Sequence, residues 1–330
     1  MKKFYLMMLF GAMFATSASA QATENGYVLD STYTTNASDA RMSKEVFEYN
    51  DAQLPTASYS YTYYDQTGAL TSTAAPSGKT LTTYDDQGRP TKEEDYVYEN
   101  NDWTKTSLME YSEFNAEGNP TVIVIYELDD ENPAVGLQPS VKYVVTKYNG
   151  KEMEDANMYM NEGGEWLNVG TFHNDFNDWG GVTKTTTIYN MMGYQFSTES
   201  TYEYDSEHRL VKETSQDMMG GLNITTYEWD SHGYSTKETY TIAEGGNHVS
   251  TFVNEYDGNG NIAKRAETPD NGEKTTEYYF WSKNGATGIS SLRLNDQLKG
   301  IYYDLNGRRM NGTPTQKGVY ILDGKKTLVK

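Results

Sequence analysis

The stretch Glu199-Ser200-Thr201-Tyr202-Glu203-Tyr204-Asp205-Ser206-Glu207-His208-Arg209-Leu210-Val211-Lys212-Glu213 decides the fold. Its first part alternates: Ser200, Tyr202 and Tyr204 share one face of an extended strand, while Glu199, Thr201 and Glu203 share the other. Asp205 then opens a turn, because its carboxylate can accept hydrogen bonds from backbone amides two or more residues on. His208 stands three residues later, where the chain needs positive φ, and His is among the residues that tolerate it. Leu210 starts a second strand, so the segment reads as half of one hairpin and half of the next.

The same signature recurs with Gly in the His208 position. It appears at Tyr64-Asp65 to Gly68, Tyr84-Asp85 to Gly88, Phe114-Asn115 to Gly118, Phe176-Asn177 to Gly180, Tyr189-Asn190 to Gly193, Trp229-Asp230 to Gly233 and Tyr256-Asp257 to Gly260. A degenerate form, Tyr148-Asn149-Gly150, falls in the one long gap. Four residues after the Gly position, Lys recurs at Lys92, Lys184, Lys212, Lys237 and Lys264. Stacked hairpins place such residues in cross-strand rows, so these charges read as ladders on a sheet surface. Tyr227 and Trp229, and likewise Phe252 and Tyr256, alternate with Thr and Glu, leaving one aromatic face.

Composition fits this picture. Ile, Val, Leu and Phe fill only 53 of 330 positions and the formal charge is -20, which by themselves suggest disorder. With 29 Tyr residues, however, the chain has rings that can replace an aliphatic core. The fold class expected is therefore all-β, an extended antiparallel sheet or solenoid-like array of hairpins curled over its aromatic face.

The repeat resembles the YD repeats of the Rhs family of bacterial surface and secreted proteins, most closely at Gly88-Arg89, His208-Arg209-Leu210 and Gly260-Asn261-Ile262. That family builds large shells around toxic domains. The resemblance implies shared hairpin chemistry; the present chain lacks the length for such a shell and an obvious cargo domain.

Both termini differ from the body. Lys2 and Lys3 precede an apolar run from Phe4 to Phe14, and Ala18-Ser19-Ala20 supplies the small residues of a signal-peptidase site. Residues 1–20 therefore read as an export signal, and no lipid-modifiable Cys follows. Cleavage before Gln21 removes two Lys from 27 basic residues, leaving 25 against 47 acids, a charge of -22. At the other end, Tyr303-Asp304, Gly307-Arg308, Gly318, Tyr320 and Lys330 make the tail similar to the C-terminal sorting domains of the type IX secretion system of Gram-negative bacteria. The resemblance implies a secreted or outer-surface location and the secretion machinery as a partner. The alternatives are a periplasmic location and a tail that is one more hairpin of the same sheet. Four segments are expected: a signal peptide (1–20), a partly disordered N-terminal segment (21–44), the hairpin array (45–283), and a linker with sorting tail (284–330).

No chemistry-bearing constellation accompanies this architecture. His173, His208, His232 and His248 have no metal-ligand spacing, Cys is absent, and no nucleophile elbow or phosphate loop occurs. The charge has the wrong sign for nucleic acid, and no segment after the signal is apolar enough for a membrane helix. The expected function is a non-enzymatic scaffold, with no cofactor and no metal, that binds a glycan or envelope protein through aromatic residues. Trp103, Trp166 and Trp179 are the candidates, each beside Asn, Asp or Gly in an expected loop. Two alternatives stand beside it: an envelope structural or adhesion element capturing partners at sheet edges, and a glycoside hydrolase using an acidic pair such as Glu93-Glu94.

Overall fold

The computed structural model describes residues 27–128, 135–191, 193–216, 220–242 and 245–283, with three short strands between 302 and 329. The first of its two compact units is all strand. It runs β1 (Tyr27–Asn36), β2 (Arg41–Tyr49), β3 (Pro55–Tyr64), β4 (Leu70–Tyr84), β5 (Pro90–Glu99), β6 (Asp102–Phe114), β7 (Pro120–Leu128), β8 (Leu137–Asn149) and β9 (Glu152–Glu162). It continues with β10 (Glu165–Phe176), β11 (Val182–Met191), β12 (Tyr194–Tyr204), β13 (Leu210–Gln216), β14 (Leu222–Trp229), β15 (Ser235–Ile242), β16 (Gly246–Tyr256), β17 (Ile262–Pro269) and β18 (Thr275–Lys283). Residues 27–44 thus already belong to the sheet, ahead of the expected start at 45.

Every strand pairs antiparallel with the next, and β18 returns to β1 in a register from Tyr27↔Lys283 to Asn36↔Thr275. The sheet is a closed 18-stranded barrel, not the open sheet or solenoid-like array expected. Closure turns the aromatic face inward and satisfies both rows of edge amides and carbonyls, which an open array leaves unpaired. Curvature is supplied at one residue in each repeat: the register shifts immediately before Tyr49, Tyr84, Phe176, Tyr204, Trp229 and Tyr256.

Most of the repeated turns gather at one end; the Asp65 turn, which joins β3 to β4, lies at the other. Turns that lead from an even strand to the next odd strand include those opened by Asn50, Asp85, Asn115, Asn177, Asp205, Asp230 and Asp257. In the turn at Asp205, its Oδ1 accepts from the amides of Glu207 at 2.8 Å and Arg209 at 3.0 Å. His208 has φ 65°, as the sequence suggested. The Asn50 turn, and an equivalent one at Asn36 on the opposite end, escaped the pattern because Gln53 (φ 62°) and Asp39 (φ 58°) replace Gly. Tyr189-Asn190 is not a copy: Asn190 lies inside the ladder opposite Gln195. Tyr148-Asn149 keeps the ring but ends in a tighter hairpin, with Asn149 opposite Glu152.

The aromatic residue of the repeat has its own task. At the end of most even strands it reaches the start of the preceding strand and donates to a backbone carbonyl. Tyr49 donates to Leu29, Tyr84 to Pro55, Tyr204 to Val182, Trp229 to Leu210 and Trp281 to Ile262, at 2.6–2.8 Å. Tyr148 donates to Pro120 in the same way, and Tyr256 instead reaches the Asp230 carboxylate. Phe114 and Phe176 occupy the position without a hydroxyl. These bonds link neighbouring turns around the rim.

Inside, one wall is apolar: Ile123, Ile125, Val141, Tyr143, Val145, Ala156, Met158, Met160, Val169 and Tyr189 form a buried cluster on β7 to β11. Gly170 makes this possible at a bulge in β10, where an added Cβ would stand 2.0 Å from the Ile188 carbonyl oxygen. The other wall is hydrogen-bonded. Glu238 Oε1 accepts from Ser235 at 2.7 Å and from Arg265 at 3.2 Å, Ser250 donates to Glu267, and Arg265 lies 3.8 Å over the Phe252 ring. Outside, the recurrent lysines form the expected rows: Lys92–Glu110, Lys184–Glu199, Lys212–Glu203, Lys237–Glu228 and Lys264–Glu255, at 2.6–3.5 Å. A charged, Thr-rich outer face is the inverse of the apolar belt that a lipid-spanning barrel carries.

The second unit contains β19 (Tyr302–Tyr303), β20 (Gly318–Leu322) and β21 (Lys325–Val329) in a sheet of their own. Tyr303 pairs with Ile321, so this hairpin is not a further barrel strand. Tyr303, Gly318 and Tyr320 of the sorting-tail pattern lie on β19 and β20; Asp304, Gly307, Arg308 and Lys330, and the signal segment 1–20, lie outside the described residues.

Candidate functional site

The barrel holds a cavity of about 680 Å³ at the end where the repeated turns collect. The strands dictate its lining. Tyr111 on β6, Tyr143 on β8, Phe172 on β10, and Tyr202 and Tyr204 on β12 point inward by simple alternation, and Tyr148, five residues beyond Tyr143, joins them because the register of β8 shifts between Val145 and Tyr148. Because Phe172 faces Thr187, and Thr185 faces Ser200, small hydroxylated residues separate the rings on β11 and leave room between them. Asn174 fixes the polar floor: its amide donates to the Met153 carbonyl at 2.9 Å and its oxygen accepts from Thr185 at 2.6 Å.

Trp179 closes the rim. It sits in the Asn177 turn, 44% exposed, stacked on His208 of the next even-to-odd turn at 4.4 Å between ring centres and 11° between planes. Tyr204 meets the indole edge-on at 5.0 Å. A stacked indole and imidazole at a cavity mouth offer a flat, partly wet surface of the kind that packs against sugar C–H faces. Lys151 and Glu152, in and beside the β8–β9 turn, complete the polar rim.

Burial shapes the titration of this lining. Desolvation raises Tyr111 and Tyr143, with the carboxylates Glu93 and Asp95 adding to the effect at Tyr111; Tyr148 is pushed up to about 12. All remain neutral hydroxyls near pH 7, able to donate and accept. Glu93 and Glu213 also face the interior, and desolvation raises both. Glu94 points outward to Lys105, so Glu93 and Glu94 do not act as one acidic pair. Among the described residues no group of three or more His, Asp or Glu side chains has metal-binding geometry.

The three tryptophans singled out by sequence do not converge. Trp179 alone of them meets the cavity. Trp103 and Trp166 lie on strands β6 and β10 rather than in loops, and each is covered on the outer face by a lysine: Lys79 stands 4.6 Å over Trp103 and 4.4 Å over Tyr96, and Lys142 stands 4.6 Å over Trp166 and 4.8 Å over Tyr159. Lys79, Tyr96 and Trp103 have the same spacing as Lys142, Tyr159 and Trp166, so the same outer-face stack recurs four strands further on. Of the cavity tyrosines, Tyr202 and Tyr204 were visible in the sequence as one face of a strand and Tyr148 as part of a degenerate repeat, but Tyr111 and Tyr143 were not. Inward alternation on β6, β8 and β12 carried the signal, but only closure of the barrel brings those strands around one space.

No family model matches the chain, and no curated protein matches it. Solved structures to which the chain is similar include a Bacteroides fragilis protein of unknown function, with 16% identity over 38% of this chain and 89% of that one and a TM-score of 0.29. A porin-like protein from Bacteroides uniformis is 11% identical over 77% of this chain and 96% of that one, with a TM-score of 0.39. A TcdB2-TccC3-Cdc42 complex is 10% identical over 73% of this chain and 16% of that one, with a TM-score of 0.25.

Proposed function

We propose that the chain is an exported envelope or surface protein whose barrel binds a glycan, without catalysis, at the aromatic-lined cavity behind Trp179. The observation that carries this reading is the cavity itself. Its rings are neutral, its hydroxyls are distributed between them, and its mouth presents a stacked Trp179–His208 face. Such a mixture of apolar walls and a few placed polar groups is what small-molecule and sugar sites share. The charged outer face supports a barrel that stands in water rather than in lipid. The tail supports export to the surface through its resemblance to type IX sorting domains, with that machinery as the transient partner.

A panel of oligosaccharides titrated against tryptophan fluorescence and followed by calorimetry tests the binding reading. Binding that falls at least tenfold in Trp179→Ala and is unchanged in Trp103→Ala and Trp166→Ala is the expected outcome. A panel that produces neither heat nor fluorescence change refutes it. For the tail, deletion of residues 285–330 is expected to hold the protein in the periplasm; unchanged surface delivery removes the sorting role.

A further inference from the structure

We propose that the ligand of this cavity is an amino sugar carrying free ammonium groups, an inference that rests on the glycan reading and narrows it. The cavity unites two features that separately recognise cations. Aromatic faces attract an ammonium through the ring quadrupole, and they do so most strongly where water is excluded. Tyr111, Tyr143, Tyr148, Tyr202, Tyr204 and Trp179 give such faces on several sides of one space.

The second feature is the placement of carboxylates behind those rings. Tyr202 is directly opposite Glu213 in the β12–β13 ladder, both side chains inward. Glu93 is directly opposite Met109, two residues from Tyr111 on the same face. Glu152 lines the cavity. Among the described residues neither Glu93 nor Glu213 has an ion pair with a basic side chain, in contrast to Glu94, next to Glu93, and Glu203, next to Tyr202, which face outward to Lys105 and Lys212. The basic groups at the site are Lys151, in the β8–β9 turn at the rim, and His208, whose ring is stacked under Trp179. Glu93 is held by burial in a state where its charge is costly, which a bound ammonium would relieve.

A neutral acetylated sugar gains the ring contacts alone. An acidic sugar meets carboxylates of its own sign. A sugar with free amines gains both terms, its C–H faces against Trp179 and its ammonium groups among the tyrosines and beside Glu152, with Glu93 and Glu213 behind the rings rather than in the cavity lining.

The test compares glucosamine oligomers of matched length, one set with free amines and one fully N-acetylated, with an oligogalacturonate and an oligolysine. Calorimetry at low salt reads the affinities for the full chain. The expected result is that the free-amine oligomer binds at least tenfold tighter than the acetylated one. That preference shrinks in Glu93→Gln and Glu213→Gln, which keep shape and hydrogen bonding, and binding is lost in Trp179→Ala. Equal or tighter binding of the acetylated or acidic oligomer overturns the proposal while leaving the glycan reading in place. A preference that survives Trp179→Ala, or oligolysine binding as tight as the amino sugar, assigns the effect to general attraction by an acidic protein and overturns the proposal. Binding of none of the sugars overturns both.

Discussion

The wall formed by β7 to β11 and the wall formed by β13 to β18 belong to one ring of hydrogen-bonded hairpins, yet they fill the interior by different means. The first buries Ile123, Val141, Val145 and Met158 behind the cavity, the material of an ordinary core. The second holds Glu238, Arg265, Glu267 and Glu277 in place with hydroxyl partners and rings. Backbone ladders and turns are shared, so the difference lies in side chains alone. A barrel of this kind needs one well-packed sector to be stable, and the remainder can carry polar chemistry.

That contrast makes sharp predictions. The largest effect is expected on the apolar wall at Gly170→Ala, where a Cβ would meet the Ile188 carbonyl oxygen at 2.0 Å. The strand must move, and the cost should exceed that of an ordinary core change, read as a fall in the urea midpoint. Next, Ile123→Ala is expected to cost about 2–5 kcal/mol, because it opens a cavity at a site almost without solvent access. A truncation in the polar network that costs as much would erase the distinction between the walls. Third, Tyr204→Phe removes one rim bond to Val182 and should cost about 1 kcal/mol, with the natural Phe114 and Phe176 showing that the turn survives the loss.

A pH prediction separates the interior from the rim. Burial raises Glu93, so its folded form holds its proton more tightly than the unfolded chain. That stabilisation is complete below about pH 4.5 and is lost as pH rises through the folded value. Glu93→Gln should therefore be more stable than the parent at pH 8, with the advantage vanishing near pH 4. The turn carboxylates run the other way: backbone amides and side-chain donors hold Asp230 at about 2, so its contribution is present at neutral pH and fades only in strong acid. Parallel melting curves of both proteins from pH 3 to 8 check the sign. The smallest effect is expected outside, where Lys237→Ala breaks one exposed pair with Glu228 and should change stability by about 0.5 kcal/mol or less.

Much of the local structure was legible in the residues. Tyr202 and Tyr204 alternate with Glu199 and Glu203 as a half-buried strand must, the Asp205 turn is stabilised by its own backbone, and His208 adopts positive φ. The lysines four residues beyond each turn pair outward as a sheet surface requires. Closure was not legible, because the pairing of β1 with β18 joins residues some 250 positions apart and has no local mark. The rim bonds were hidden for a similar reason: a Tyr that ends a strand looks alike whether its hydroxyl meets water or the carbonyl of Val182. Of the cavity, Trp179 was found through its turn, while Tyr111 and Tyr143 entered only when curvature brought β6 and β8 beside β12. Trp103 and Trp166 were drawn in by neighbouring polar residues, although their repeated spacing from Lys79 and Lys142 already set them apart as a recurring outer-surface feature.

The return of β18 to β1 has a consequence for how such a protein can change its bore. All other pairings join consecutive strands, so each hairpin brings its own turn and most bring their own rim bond. Material can then be gained or lost two strands at a time with the final seam still antiparallel, and Thr35 and Ser282, which fasten that seam to Thr276 and Asp30, need not change. The circumference scales with the number of hairpins. Gain or loss of a hairpin would therefore act as a gauge adjustment, changing the width of the vessel without redesigning its closure.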